Sequence, residues 1–232
     1  RRHNAMLQAQ LIAANEKLRH YMAAPLIETL MASPTLPSLG GERQTITILF
    51  VDFCRFSSIT HNLPPDEVLR ILNEYFALLT TAIFEHGGYL DKIMGDGFMA
   101  LFNVPTRQGN HATKAVQSAI CMHERVQRWN VTHSPQMNIR VGIHTGEALV
   151  GNIGTPQLMN YTAIGDAVNL AKRLEETSSP GQILLSTTTR EMVDLAEMKM
   201  DESRFVSLGR KTLKGANLPM EVFHIVLDDN NS

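Results

Sequence analysis

Asp52 closes the run Thr45-Ile46-Thr47-Ile48-Leu49-Phe50-Val51, which is otherwise nearly all apolar or β-branched. A carboxylate there needs a partner, because desolvating it alone is costly. Asp96 stands in Gly95-Asp96-Gly97, between two short apolar runs. Two carboxylates presented at the same end of neighbouring strands suit Mg²⁺, a hard cation that takes one or two carboxylates and completes its shell with substrate phosphates. Turn chemistry alone also accounts for an aspartate between glycines. Further on, Asp166, Asn169 and Arg173 fall at i, i+3 and i+7, opposite Leu170, Ala171 and Leu174. On a helix, an Asn and an Arg four apart offer donors to a ribose and an anionic phosphate, with Arg as the clamp. A solvated helix face has the same spacing. Asp166, at the helix start, needs only a capping or dipole role.

The elements that must carry these groups alternate in period. Residues 45–52 read as a buried central strand, since both of its faces are apolar. Pro64-Pro65-Asp66-Glu67 opens a helix whose apolar face is Val68, Leu72, Tyr75, Leu79 and Ile83, and His86-Gly87-Gly88 ends it. Residues 89–94 and 98–104 predict a hairpin about Gly95-Asp96-Gly97. A helix over 111–129 follows, then a second hairpin of 139–145 and 148–153 turning at Gly146-Glu147. Residues 165–176 predict a helix, 182–186 a strand, and 205–213 and 220–227 two late β segments. The fold class is α+β: a ferredoxin-like βαββαβ core, with helices on one face of an antiparallel sheet and additional C-terminal strands.

Ahead of this core, Leu7, Leu11, Ala14, Leu18 and Tyr21 are spaced 4, 3, 4 and 3, the seam of a short coiled coil. An amphipathic helix packed on its own domain would show the same spacing. The expected organisation is an N-terminal helix over 1–32, a Pro/Gly linker over 33–44, one catalytic domain over 45–228 and a tail over 229–232. The composition closes several routes. Lys+Arg number 21 against Asp+Glu 23, a net charge of -2, which gives no footprint for nucleic acid. Cys54 and Cys121 form no disulfide framework or metal cluster. No apolar run approaches the roughly 18 residues of a membrane span. With no signal peptide visible and Arg-Arg at its start, the chain reads as a soluble, cytoplasmic piece of something longer, whose other parts could be soluble or membrane-anchored.

Four blocks carry a resemblance: Phe50-Val51-Asp52-Phe53-Cys54-Arg55-Phe56-Ser57, Asp91-Lys92-Ile93-Met94-Gly95-Asp96-Gly97, Val141-Gly142-Ile143-His144-Thr145-Gly146 and Ile164-Gly165-Asp166-Ala167-Val168-Asn169-Leu170-Ala171-Lys172-Arg173-Leu174. In this order and spacing, over about 40–226, the chain resembles the catalytic domain of class III nucleotidyl cyclases. The resemblance implies that Asp52 and Asp96 hold two Mg²⁺ or Mn²⁺ ions, with the Phe53 carbonyl as a further ligand. It implies in-line attack of the ribose 3′ oxygen on the α-phosphate of a nucleoside triphosphate, expelling pyrophosphate. Asn169 would orient the ribose and Arg173 would stabilise phosphate charge in the transition state. Backbone N–H groups of Phe53, Cys54, Arg55 and Phe56 would cradle the distal phosphates. Lys214 would reach the polyphosphate, although Ala216 fills the place of the second lysine the family often has.

Lys92 and Thr162 occupy the base-recognition places. Lys92 is a pure donor that suits adenine N1, and the Thr162 hydroxyl can accept from the 6-amino group. A hydroxyl can also donate, so its discrimination is less sharp than that of the aspartate in the familiar adenylyl form. Guanylyl members carry Glu and Cys at these two places. The Lys–Thr pair resembles a bacterial and cyanobacterial branch, several of whose members respond to bicarbonate, so bicarbonate is an implied effector. The expected activity is therefore adenylate cyclase, with ATP as substrate. Family members work as head-to-tail dimers, the two aspartates coming from one protomer and Lys92, Thr162, Asn169 and Arg173 from the other. Lys92 and Asp96 lie roughly 13 Å apart along a strand at about 3.3 Å per residue, which agrees with sites shared across a homodimer. The N-terminal helix would link this dimer to an upstream sensor or regulatory domain. A guanylyl or relaxed-specificity cyclase and a non-catalytic nucleotide-binding domain stay open. Against the latter, Asp52, Lys92, Asp96, Asn169 and Arg173 are all present. A diguanylate cyclase would need a Gly-Gly-Asp-Glu-Phe turn, where this chain has Met94-Gly95-Asp96-Gly97-Phe98. His144 and Cys54 read as packing residues.

Overall fold

The computed structural model describes residues 2–61, 63–134, 136–213 and 219–227. Two helices, α1 (Arg2–Arg19) and α2 (Ala24–Ala32), precede β1 (Gly40–Cys54), α3 (Phe56–Thr60) and α4 (Pro65–Glu85). The hairpin β2 (Tyr89–Met94) and β3 (Gly97–Phe102) leads through α5 (His111–Thr132) to β4 (Asn138–Thr155), β5 (Leu158–Ile164) and α6 (Asp166–Thr177). The chain ends with β6 (Ile183–Ser186), the short helices α7 (Thr187–Met192) and α8 (Leu195–Met198), and β7 (Phe205–Lys211) and β8 (Met220–Ile225). The strands form an 8-stranded sheet in the order β2-β3-β1-β4-β6-β8-β7, with β5 paired to β4. The first four in that row, all antiparallel, are the βαββαβ core. The β4–β6 pairing is parallel, so the C-terminal extension makes the sheet mixed.

From Ile46 to Phe53 β1 is nearly all apolar because both of its faces are covered there, whereas its first residues are exposed. Leu49, Val51 and Phe53 pack with α4 and α5 residues, among them Tyr75, Leu79, Ala115 and Met122. Ile46, Ile48 and Phe50 pack on the opposite face with Ala167 and Ala171 of α6 and Leu26 of α2. The expectation of helices on one face therefore holds for α4 and α5 only; α6 lies on the other side. By the same alternation Asp52 points to the α6 side. α6 approaches β4 closely at Gly142, where an added Cβ would stand 2.1 Å from the Glu175 nitrogen and 2.5 Å from the Ala171 oxygen.

Two further expectations change. The second hairpin does not turn at Gly146-Glu147, since β4 runs unbroken through both. Gly146 is small for packing reasons: a Cβ there would lie 2.8 Å from His144 Nε2 and 3.1 Å from the Ala167 side chain. The turn comes later, at Pro156-Gln157, where the Leu158 N–H donates to Thr155 Oγ1 at 3.2 Å. β1 also starts at Gly40 rather than 45, so Gly40 and Gly41 pair with Asn152 and Gly151 instead of serving as linker. The seam residues Leu7, Leu11, Ala14 and Leu18 of α1 are exposed, not packed on the domain, and Tyr21, also exposed, falls in the turn after α1 ends at Arg19, so the expected helix over 1–32 is two helices.

A buried chain of hydrogen bonds crosses the sheet. His111 Nδ1 meets Thr47 Oγ1 at 2.7 Å, Thr47 meets Thr145 at 2.8 Å, and Thr189 bridges Thr145 and Ser186 at 3.1 Å each. Ser186 Oγ then meets His144 Nδ1 at 2.8 Å. Burial lowers the pKa of both histidines, that of His144 from 6.5 to about 4. Between those two pH values the unfolded chain binds a proton at this position and the folded chain refuses it. Stability from His144 is thus complete above pH 6.5 and falls by roughly 3 kcal/mol as pH drops to 4. His111 acts in the same direction. Urea unfolding across this range should show that slope, and His144→Gln, which does not titrate, should flatten it; an equal slope in the variant would refute the assignment.

Candidate functional site

Asp52 lies opposite Gly97 in the β1–β3 ladder, so Asp96 in the hairpin turn is one residue from its cross-strand partner. Gly97 makes this approach feasible: a Cβ would stand 2.4 Å from the Val51 carbonyl oxygen and 3.2 Å from Asp52 Oδ1. Burial, then the Asp52 charge, raise the pKa of the Asp96 carboxyl. Two carboxylates one register place apart at the end of neighbouring strands form a hard-oxygen pair suited to a divalent cation. Among the described residues no group of three or more His, Cys, Asp and Glu could hold a metal. Such a cation would therefore draw other ligands from backbone and substrate, which fits the donor set expected from Asp52, Asp96 and the Phe53 carbonyl.

Three charged neighbours of Asp52 were not anticipated. Arg140, its register partner on β4, donates to Asp52 Oδ2 from Nε at 3.0 Å and from Nη2 at 2.6 Å. The same guanidinium lies 2.6 Å from Glu175 Oε1. Glu175, on α6, has no side-chain exposure and also pairs with Lys172. Lys172 in turn lies over the Phe50 ring, 5.7 Å from its centroid. The cluster reads Asp52–Arg140–Glu175–Lys172, alternating in sign along one side of the sheet. Only the pairing register brings Asp52 and Arg140 together, and that register is not readable from spacing. Glu175 carries no signal in the sequence that would set it apart from other charged helix residues.

The turn after β1 is strained where the phosphate cradle was expected. Arg55 takes φ 62°, ψ 22°, a left-handed conformation, directly before α3. The Phe53 side chain is buried edge-on against Tyr75, centroids 4.9 Å apart, leaving only its backbone for ligand contact. Phe56 is half-buried and 6.2 Å from Phe53. Burial raises the Cys54 thiol to about 11, so it is no nucleophile at neutral pH.

Lys92 and Thr162 meet at one carboxylate. Thr162 Oγ1 donates to Asp91 Oδ2 at 2.9 Å, and Lys92 Nζ lies 3.1 Å from the same oxygen. Three strands separate β2 from β5 in the pairing order, so the β4–β5 ribbon curls back toward β2. The Tyr89 hydroxyl donates to the Tyr161 carbonyl at 3.1 Å and the two rings pack edge to face, fastening that approach. No hydrogen bond or ion pair among the described residues joins this group to the Asp52 cluster. On α6, Asn169 is exposed and Arg173 half-buried, while Ala167, Ala171, Leu174 and Glu175 face inward. Asp166 is the first-turn acid and makes no cap, that place being taken by Gly165 at φ 140°. Lys214 lies outside the described residues. Among those described, no helix is long and apolar enough to cross a membrane.

A family model described as the adenylate and guanylate cyclase catalytic domain matches residues 41–226. Adenylate cyclase 1 of Rhizobium meliloti (strain 1021) is 33% identical over 211 residues, which is 89% of this chain but 31% of that protein. The chain thus spans about a third of that relative's length. Among solved structures, the guanylyl cyclase Cya2 has a TM-score of 0.73 at 34% identity, covering 83% of this chain and 98% of that one. The adenylyl cyclase CyaB from P. aeruginosa has a TM-score of 0.73 at 30% identity, covering 84% of this chain and 100% of that one.

Proposed function

Because the chain belongs to the adenylate and guanylate cyclase catalytic domain family, we propose that it converts ATP to 3′,5′-cyclic AMP and pyrophosphate at sites shared across a homodimer. The observation that carries the choice of base is the convergence of Lys92 and Thr162 on Asp91. An ammonium beside a hydroxyl matches the N1 acceptor and 6-amino donor of adenine. Asn169 orients the ribose so that its 3′ oxygen lies in line with the α-phosphate. The O3′–P bond forms as the bond from the α-phosphorus to the bridging oxygen breaks and releases pyrophosphate, the 3′ hydroxyl proton passes to solvent, and Arg173 stabilises the charge that accumulates on the phosphate oxygens. Backbone N–H groups of Phe53, Cys54, Arg55 and Phe56 hold the distal phosphates, with Lys214 as a further cation toward them. Asp52, Asp96 and the Phe53 carbonyl would hold two Mg²⁺ or Mn²⁺ ions, whose charge acidifies the attacking hydroxyl and neutralises the leaving group.

The chain is organised for regulation through α1, whose exposed seam would pair two copies and connect them to an upstream sensor. Bicarbonate is the effector to try first, and a flat response at constant pH would remove it. One observation favours a second reading: the guanylyl cyclase Cya2 is 34% identical, and Thr162 is not a carboxylate. Purified protein given ATP and GTP separately with Mn²⁺ decides between them. Cyclic AMP formed from ATP with a kcat/KM at least about tenfold above that for GTP is expected. Cyclic GMP as the major product would assign the guanylyl reading, and no product from either would leave a nucleotide-binding domain without turnover.

A further inference from the structure

We infer that Asp91 fixes the Thr162 oxygen as a hydrogen-bond acceptor toward the base, and thereby makes the site select a 6-amino over a 6-oxo purine. This rests on Lys92 and Thr162 being the base-reading pair. A threonine hydroxyl has one proton and two lone pairs, and left to rotate it serves a donor or an acceptor equally. Here the rotation is taken away. Asp91 has no side-chain exposure, and its Oδ2 accepts the Thr162 proton at 2.9 Å. The Lys92 ammonium, which can only donate, lies 3.1 Å from the same oxygen. Oδ2 is therefore an acceptor twice over, and the single Thr162 proton is committed inward. Burial raises the Asp91 pKa, with Thr162 and Lys92 opposing the shift. A proton taken up would sit on Oδ1, which is buried without a hydrogen-bond partner, and would leave Oδ2 accepting as before.

What remains for a ligand is a lone pair on Thr162 and a proton on Lys92. That pattern is the complement of adenine, which donates from its 6-amino group and accepts at N1. A 6-oxo purine reverses both positions: its O6 meets a lone pair and its N1–H meets an ammonium. Asp91 thus gives a neutral hydroxyl the fixed polarity of a carboxylate without touching the nucleotide. It is a positioning residue acting through Thr162, and the Tyr89–Tyr161 contact holds the two strands close enough for it to do so.

The test compares kcat/KM for ATP with that for inosine triphosphate, which differs from ATP only at N1 and the 6 position. The wild-type protein should favour ATP. Asp91→Ala frees the hydroxyl and should narrow the ratio roughly tenfold, the worth of one oriented hydrogen bond. Asp91→Asn, whose amide oxygen can take the place of Oδ2, should keep the ratio within about threefold of wild type. Thr162→Val should narrow the ratio on its own, and adding Asp91→Ala to it should change the ratio no further. Should the cavity left by Asp91→Ala unfold the chain, Asp91→Leu fills it with a side chain that also branches at Cγ and can accept no hydrogen bond. A ratio untouched by Thr162→Val would overturn the base-reading pair itself, and this inference with it. A ratio narrowed by Thr162→Val but not by Asp91→Ala or Asp91→Leu would overturn the role of Asp91 alone. Continued narrowing in the double variant would show that Asp91 acts through Lys92 instead, and would also overturn it.

Discussion

Mixing two inactive variants, Asp52→Ala and Arg173→Ala, should restore about a quarter of wild-type cyclic AMP production per chain. In a two-fold dimer with composite sites, random exchange makes half of the dimers mixed, and each mixed dimer keeps one intact site of two. Each variant alone should fall at least about a hundredfold, the usual cost of losing one preorganised charge at a phosphate or oxyanion. The expectation follows from the proposed shared site, in which Asp52 comes from one protomer and Arg173 from the other. Sites built within one chain would give no recovery. Subunit exchange, followed by a tag on one variant, has to be complete before the mixture is assayed.

Arg140→Ala should lower the unfolding free energy by about 4 kcal/mol. Removing the guanidinium leaves Glu175, with no side-chain exposure, paired only to Lys172, and deprives Asp52 of two hydrogen bonds. A buried carboxylate reduced from two cationic partners to one is costly, whereas an apolar replacement of the pair need not be. The double variant Arg140→Met/Glu175→Leu should therefore recover the part of the loss that comes from Glu175, Asp52 remaining without its two hydrogen bonds, and urea denaturation of the three proteins measures it. A loss below about 1 kcal/mol in the single variant would mean that Arg140 behaves as an ordinary surface ion pair.

Much of this arrangement was legible in the residues. The β2–β3 hairpin could be read because Gly95-Asp96-Gly97 is turn chemistry between two apolar runs, and Gly95 does take φ 64° there. The helices α4 and α6 could be read because proline and acid, or glycine and acid, open an apolar period. Where reading failed, glycine had been taken for a turn or a linker when its use was close approach. Gly146 makes room for His144 and Ala167 within a continuous strand, and Gly41 lies under the Val150 carbonyl, 2.7 Å from where a Cβ would be. The partners of the site residues were hidden for a different reason. Arg140 reaches Asp52, and Asp91 reaches Thr162, across strands whose register depends on the whole sheet. Glu175 drew no reading at all, and only its position over Gly142 shows that it lies inside.

The alternation along β1 bears on how this chain can vary in evolution. One set of its residues feeds the α4–α5 core; the other carries Asp52 to the α6 side. Deleting or inserting a single residue between Gly40 and Asp52 would exchange the two sets, turning the carboxylate into the core and an apolar neighbour toward Arg140 and α6. Side chains along this strand are free to drift within their own set, but its length is not. Relatives should tolerate exchanges among apolar residues at the apolar positions of β1 and almost no odd-numbered change in its length, so insertions in this lineage should accumulate in the connections beyond it.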